Sequence, residues 1–168
     1  MSETKMPSVN LSPSDYVIIG GTGDLALRKI FPALFWRYLD GQVTSDYRIA
    51  AASRREVSTD EFAEKLRPFC EDALTDGRAS EADWQGFLSL ITILTLDVKS
   101  GGGADKLAAF IAARAASDRP TIFYLAIAPS LFGDATRLLD SAELITPQAR
   151  LVVELSLIHI SEPTRPLY

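Results

Sequence analysis

An α/β fold built on a parallel sheet is predicted by three observations. Apolar, strand-like runs alternate with helical patterns along the chain, so each strand is followed by a crossover helix. The runs are almost continuously apolar, as in residues 16–19 (YVII) and 120–127 (PTIFYLAI), which suits strands covered on both faces. The first run ends in the pair Gly20-Gly21, and a helical pattern opens directly behind it.

Residues 1–14 are polar, carry Pro7 and Pro13, and lack the basic-then-apolar order of a signal peptide; they read as a flexible lead-in. Residues 16–19 form the first strand. From residue 25 to 39, Leu27, Ile30, Leu34 and Tyr38 recur at helical spacing, and Phe31 and Phe35 widen the stripe. Pro32 lies inside this helix, removes a hydrogen bond and predicts a kink or a split. Asp40-Gly41 is the stop signal. Residues 48–52 (RIAAA) are the second strand, followed by Ser53-Arg54-Arg55.

Residues 59–69 place Phe62, Leu66 and Phe69 on one helical face, with Ser58 or Thr59 as the cap. Ser80 opens the next helix, Asp83 stands where a capping-box acid would, and Trp84, Phe87 and Leu88 form the apolar face. Residues 91–98 are rich in β-branched side chains and read as the third strand. Residues 100–103 are a loop, 105–116 an alanine-rich helix, 120–127 the fourth strand, 129–139 a helix and 150–154 the fifth strand. No internal repeat is visible. Five strands with crossover helices make a Rossmann-type doubly wound sheet.

The 168 residues suffice for one compact domain. A net charge of −5 and the absence of a basic patch exclude the usual footprint of a nucleic-acid partner. No apolar run reaches the ~20 residues that a membrane span needs. Cys70 is the only cysteine, so no intrachain disulfide can form, which fits a reducing cytoplasm. With nothing nearby to lower its pKa, the Cys70 thiol reads as inert.

The stretch Tyr16-Val-Ile-Ile-Gly-Gly-Thr-Gly-Asp-Leu-Ala26 is the most informative about function. Gly21-x-Gly23-x-x-Ala26 fits the dinucleotide fingerprint G-x-G-x-x-G/A. Small residues there allow a tight turn, close approach of backbone to a pyrophosphate, and helix–strand packing. Exposed N–H groups at the helix start, at the positive end of its dipole, favour an anion. A Walker A loop is excluded because Gly-Lys-Ser/Thr is missing. Asp24 would repel a phosphate, so it is assigned to capping the helix or to a water-mediated contact. At the end of the second strand an acid would hold NAD ribose hydroxyls, whereas a cation meets the NADP 2′-phosphate. Here Ser53-Arg54-Arg55 comes first and no acid follows until Glu56, so NADP is expected, with NAD as the alternative.

These residues also resemble a known family. Gly20-Gly-Thr-Gly-Asp-Leu-Ala26 with Arg28-Lys29-Ile-Phe-Pro-Ala-Leu-Phe35 resembles the N-terminal coenzyme site of glucose-6-phosphate dehydrogenases, including the unusual Pro32. Ala51-Ala52-Ser53-Arg54 is similar to that family's second-strand end. Phe123-Tyr-Leu-Ala-Ile-Ala-Pro-Ser-Leu-Phe132 is similar to its fourth-strand motif, and Arg150-Leu-Val-Val-Glu154 to the strand before its Glu-Lys-Pro motif. The resemblance covers residues 15–154. It implies that Gly20, Gly21, Thr22, Gly23, Asp24 and Leu25 form the pyrophosphate turn. Arg54 would bind the 2′-phosphate with help from Arg55. Backbone near Tyr124 and Ala126 would face the nicotinamide, bounded by Pro129, with Glu154 at the same site. Lys29 matches a lysine facing the sugar phosphate, against the plain reading of a surface lysine. The implied reaction oxidises C1 of glucose 6-phosphate by hydride transfer to nicotinamide, with a histidine as general base.

After Glu154 the resemblance ends. The family's lysine, proline and later histidine motif have no counterpart, and the one histidine, His159, matches no motif. Residues 155–168 read as a foreign tail, of which residues 156–168 resemble translated sequencing-adapter read-through. The sheet is therefore expected to be incomplete at its C-terminal side. The chain as given is expected to be marginally stable, to bind NADP weakly and to lack catalysis, with homo-oligomers expected only for a full-length enzyme. The alternatives are a stand-alone NAD(P)-binding regulatory module and another Rossmann oxidoreductase.

Overall fold

The computed structural model describes residues 13–114 and 118–154. The expectations for residues 1–12, for the last residues of the alanine-rich helix, and for the tail with His159 lie outside the described residues. Five strands form one parallel sheet: β1 (Asp15–Ile19), β2 (Arg48–Ser53), β3 (Ile91–Thr95), β4 (Thr121–Leu125) and β5 (Ala149–Val153). Their spatial order is β3-β2-β1-β4-β5. Strand order reverses between β1 and β4, and a crevice opens beyond the carboxyl ends of strands at such a switch point.

The helices are α1 (Phe31–Leu39), α2 (Thr59–Leu66), α3 (Glu71–Thr75), α4 (Glu81–Leu88), α5 (Ala104–Ala112) and α6 (Phe132–Ser141). Helices α1 to α4 cover one sheet face. Their Phe31, Phe35, Phe62, Leu66, Trp84 and Phe87 pack with Ile18, Ile49 and Ala51 of the sheet. The α5 and α6 side chains Leu107, Ile111, Leu138 and Leu139 pack with Val17, Ile19, Ala50, Phe123 and Leu125 on the opposite face. Each fully buried phenylalanine contributes about 1.5–3 kcal/mol. Ring edges meet ring faces, with Phe31 on Phe62 at 5.0 Å and Phe35 on Trp84 at 5.5 Å.

Pro32 does not interrupt the helical path but accompanies a change in its winding: Ile30 and Phe31 keep right-handed helical φ/ψ, and the Phe31 amide donates to Ala26 O. A π-helical turn, Ala26–Ile30, precedes α1, and Pro32 falls in the first turn of α1, where a missing N–H costs least. Ser58 caps α2 by accepting the Glu61 amide. Ser80 and Asp83 close a full capping box on α4, so aspartate serves where glutamate is more common. The third strand is shorter than its sequence pattern. Leu96 N donates to Ser53 O as the last rung, and Asp97 Oδ1 then accepts the Lys99 amide and turns the chain away. Cys70 is buried, and burial pushes its thiol pKa up to about 12, as an inert thiol requires.

Two features depart from the sequence pattern. β5 is an exposed edge: Leu151, Val152 and Val153 are 48%, 36% and 40% exposed. Among the described residues nothing covers either face of the apolar run there, in contrast to β1 and β2. Asp15, the first residue of β1, is fully buried at the amino end of the sheet. Arg48 chelates it with Nη2–Oδ2 at 2.6 Å and Nε–Oδ1 at 3.1 Å, Arg119 Nε lies 3.0 Å from Oδ1, and Arg114 Nη1 lies 3.9 Å from Oδ2. A buried charge is tolerable only when paired in this way.

Candidate functional site

A cleft of about 610 Å³ opens at the carboxyl ends of β1, β2, β3 and β4. Of the residues predicted from sequence, Gly20, Thr22, Gly23, Arg54, Arg55 and Ala126 line it. The turn after β1 explains how the backbone comes so close to this space. Gly20 has φ +84°, and a methyl group there would overlap the Ala126 carbonyl oxygen and stand 2.8 Å from Ile127 Cγ2. Gly21 does not face the cleft. It is buried behind the turn, and a methyl group on it would lie 2.8 Å from Ala51 Cα, so it sets the packing of the turn on β2.

Backbone bonding separates the amides that build the turn from those free to hold an anion. Gly20 and Gly21 both donate to Ala52 O, at 2.8 and 2.9 Å, and Gly23 donates to Gly20 O at 2.9 Å. The first helical bond runs from Leu27 N to Gly23 O at 3.0 Å. The amides of Asp24, Leu25 and Ala26 therefore precede it and have no intrahelical acceptor. Thr22 has no hydrogen-bond partner among the described residues. Ala26 is fully buried, the packing role its place in the fingerprint calls for.

Asp24 corrects an expectation. It does not cap the helix: among the described residues its carboxylate meets no helix amide and instead accepts Arg28 Nε at 2.5 Å on the surface. The reason is register. Gly23 supplies the first helical carbonyl, so Asp24 already lies inside the first turn, where its charge still complements the dipole. Asp24 and Leu25 line a second, smaller depression of about 280 Å³ with Arg28, Lys29 and Glu154. There Lys29 Nζ lies 3.6 Å from Glu154 Oε1, and the Tyr124 hydroxyl donates to Glu154 Oε2 at 3.4 Å. Burial, and then the Glu154 charge, push the Tyr124 phenol above its ordinary range. Pro129 is exposed and opens a 3₁₀ turn whose next residues, Ser130 and Leu131, line the main cleft in its place.

The cations divide unequally. Arg55 Nη2 donates to Glu61 Oε1 at 3.1 Å, and Lys65 binds the same oxygen at 2.6 Å. Arg54 makes no hydrogen bond or ion pair among the described residues and stands exposed at the cleft. Sequence reasoning missed Ser53, Asp97 and Lys99, which line the same cleft. Ser53 Oγ donates to Arg55 O at 2.6 Å and shapes the turn that presents Arg54. Among the described residues no cluster of His, Cys, Asp or Glu is placed to hold a metal ion, and no helix is long and apolar enough to cross a membrane.

A sequence model of the family described as "Glucose-6-phosphate dehydrogenase, NAD binding domain" matches residues 17–162. The chain belongs to this family. It is 40% identical over 150 residues to the glucose-6-phosphate 1-dehydrogenase of Rhizobium meliloti (strain 1021), covering 87% of this chain and 29% of that protein. To the same enzyme of Gluconobacter oxydans (strain 621H) it is 35% identical over 144 residues, 86% of this chain and 29% of the relative. A solved structure of glucose-6-phosphate dehydrogenase in complex with glucose-6-phosphate superposes with a TM-score of 0.73 at 29% identity, over 84% of this chain and 30% of that one. The chain thus spans under a third of the length of these glucose-6-phosphate dehydrogenases, and the part it spans is their coenzyme domain.

Proposed function

We propose that this domain binds NADP across the switch point of its sheet and serves as the coenzyme domain of a cytoplasmic, NADP-dependent glucose-6-phosphate dehydrogenase of the pentose phosphate route. The observation that carries the reading is the turn after β1. A side chain at Gly20 would fill the space beside Ala126, and the unpaired amides of Thr22, Asp24 and Leu25 stand where a diphosphate needs donors. The residues present therefore fit the coenzyme. Thr22, Asp24 and Leu25 would hold its diphosphate through backbone N–H groups, with Gly20, Gly21 and Gly23 shaping the turn. Arg54 would hold the 2′-phosphate, with Arg55 in support. The backbone at Ala126, with Tyr124 and Glu154 nearby and Pro129 at the border, would bound the nicotinamide end. Lys29 would face the sugar phosphate.

When bound, NADP supplies a ring that accepts hydride from C1 of glucose 6-phosphate. The side chains here bind and orient; the proton-accepting histidine of the reaction is not among the residues of this site. The oligomeric state and catalysis belong to the full-length enzyme. In titrations of the purified chain, NADPH should bind more tightly than NADH. Arg54→Ala should weaken NADPH roughly tenfold to a hundredfold and leave NADH unchanged, since a hydrogen bond to a charged group is worth about 1.5–3 kcal/mol. Equal losses for both coenzymes, or none, would refute the assignment of Arg54.

A further inference from the structure

We infer that Lys99, in the turn between β3 and α5, is a second coenzyme-selecting cation that works with Arg54 on the 2′-phosphate. The inference rests on the NADP reading above and extends it to a residue that no fingerprint of the first βα turn contains. The balance of charge around the cleft points to it. A 2′-phosphate carries up to two negative charges, and binding it demands cations that are not already neutralised.

Arg55 does not meet that demand alone, because its guanidinium is paired with Glu61. Arg54 is unpaired but lies within the attraction of Asp97, whose carboxyl is held below the usual range by the Lys99 amide, by Ser100 and by the Arg54 charge. Asp97 thus offsets part of the positive charge that Arg54 brings to the cleft. Lys99 lines the same cleft, is exposed, and forms no ion pair among the described residues. It adds a second unpaired positive charge to the cleft.

Asp97 also explains why a lysine on a loop is held at this place. Its Oδ1 accepts the Lys99 amide at 3.0 Å, its backbone N–H donates to Gly102 O at 2.8 Å, and its carbonyl accepts the Gly101 amide at 2.8 Å. Ser100 Oγ accepts the Gly102 amide at 3.2 Å. The backbone at Lys99 is therefore tied to Asp97, and the rung from Leu96 N to Ser53 O sets Asp97 beside the end of β2, which Arg54 directly follows. Asp97 is a positioning residue for Lys99, and the lysine head remains free to meet a ligand.

The test titrates the full chain and its Lys99→Ala, Lys99→Arg and Arg54→Ala variants with NADPH and with NADH, circular dichroism confirming that each is folded. Lys99→Ala is expected to weaken NADPH about fivefold to tenfold, leave NADH unchanged, and flatten the salt dependence of NADPH binding. Lys99→Arg is expected to restore most of the NADPH preference. If Lys99→Ala leaves NADPH binding intact while Arg54→Ala weakens it, the NADP reading stands and the role of Lys99 is overturned. If Lys99→Ala weakens NADPH and NADH equally, Lys99 does not select the 2′-phosphate and the inference is likewise overturned. If neither variant alters the ratio of the two affinities, both the inference and the underlying assignment of Arg54 fail.

Discussion

Replacing Asp15 by alanine should lower the free energy of unfolding by about 3 kcal/mol or more, the largest stability loss expected from a single side chain outside the aromatic core. Three arginines converge on this carboxylate, which is fully buried, while Arg48, Arg114 and Arg119 are only 25%, 12% and 15% exposed. Taking away the anion leaves like charges facing one another in a poorly solvated place, and breaking a buried pair from one side costs about 3–5 kcal/mol. Arg119 is the most vulnerable partner, because its Nε and Nη2 are buried without a hydrogen bond even in the intact cluster. Arg48 has other supports, a bond from Nη1 to Phe110 O at 2.7 Å and the Phe110 ring 4.5 Å below it. Urea unfolding at neutral pH measures the effect. Asp15→Asn keeps the volume and removes the charge, so it should be destabilising too, by somewhat less. A loss below about 1 kcal/mol for both variants would mean that solvent screens the cluster as it does a surface pair.

Gly20→Ala should abolish measurable NADPH binding while the sheet survives. The φ of +84° already disfavours any residue with a Cβ, at roughly 1–2 kcal/mol. The added methyl would also overlap the Ala126 carbonyl, which belongs to backbone anchored by the bond from Ala126 N to Ile19 O at 2.8 Å. One side of the switch point has to move. Moving the turn displaces the amides of Thr22, Asp24 and Leu25 together. Losing two hydrogen bonds to a charged ligand, at about 1.5 kcal/mol each, weakens affinity by roughly a hundredfold or more. The measurement is an NADPH titration paired with a melting curve. A folded variant that binds NADPH as the parent does would show that close approach at Gly20 is not needed.

The cleft at the carboxyl ends of the strands and the buried Asp15 cluster differ in how far the sequence discloses them. The glycine turn is legible because the steric demand falls on consecutive residues, so Gly20, Gly21, Gly23 and Ala26 read as one pattern. Arg54 is legible because it follows a clear apolar strand. Even so, adjacency on the chain does not say what each glycine does. Only the fold shows Gly21 turned toward Ala51 and away from the cleft. Asp24 reads wrongly as a cap because capping depends on which carbonyl opens the helix, and a shift of one residue decides that. Lys99 and Asp97 are hidden because a loop after a strand has no period, and their meaning arises only when β3 lies beside β2. Asp15 is hidden for a similar reason. A charged residue at the start of an apolar run reads as its border, and its partners Arg48, Arg114 and Arg119 lie far along the chain. The exposed edge at β5 is foreshadowed only as an incomplete sheet; the apolar run itself reads like those of the covered strands.

The central claim is that backbone amides just beyond β1 grip the diphosphate of a nicotinamide coenzyme. A ¹H–¹⁵N correlation titration of the chain with NADPH tests it most directly. The Thr22, Asp24 and Leu25 amides should shift together in a saturable way, while Gly77, in the turn between α3 and α4, should stay fixed. Saturable shifts at other places, with those three amides unmoved, would contradict the claim.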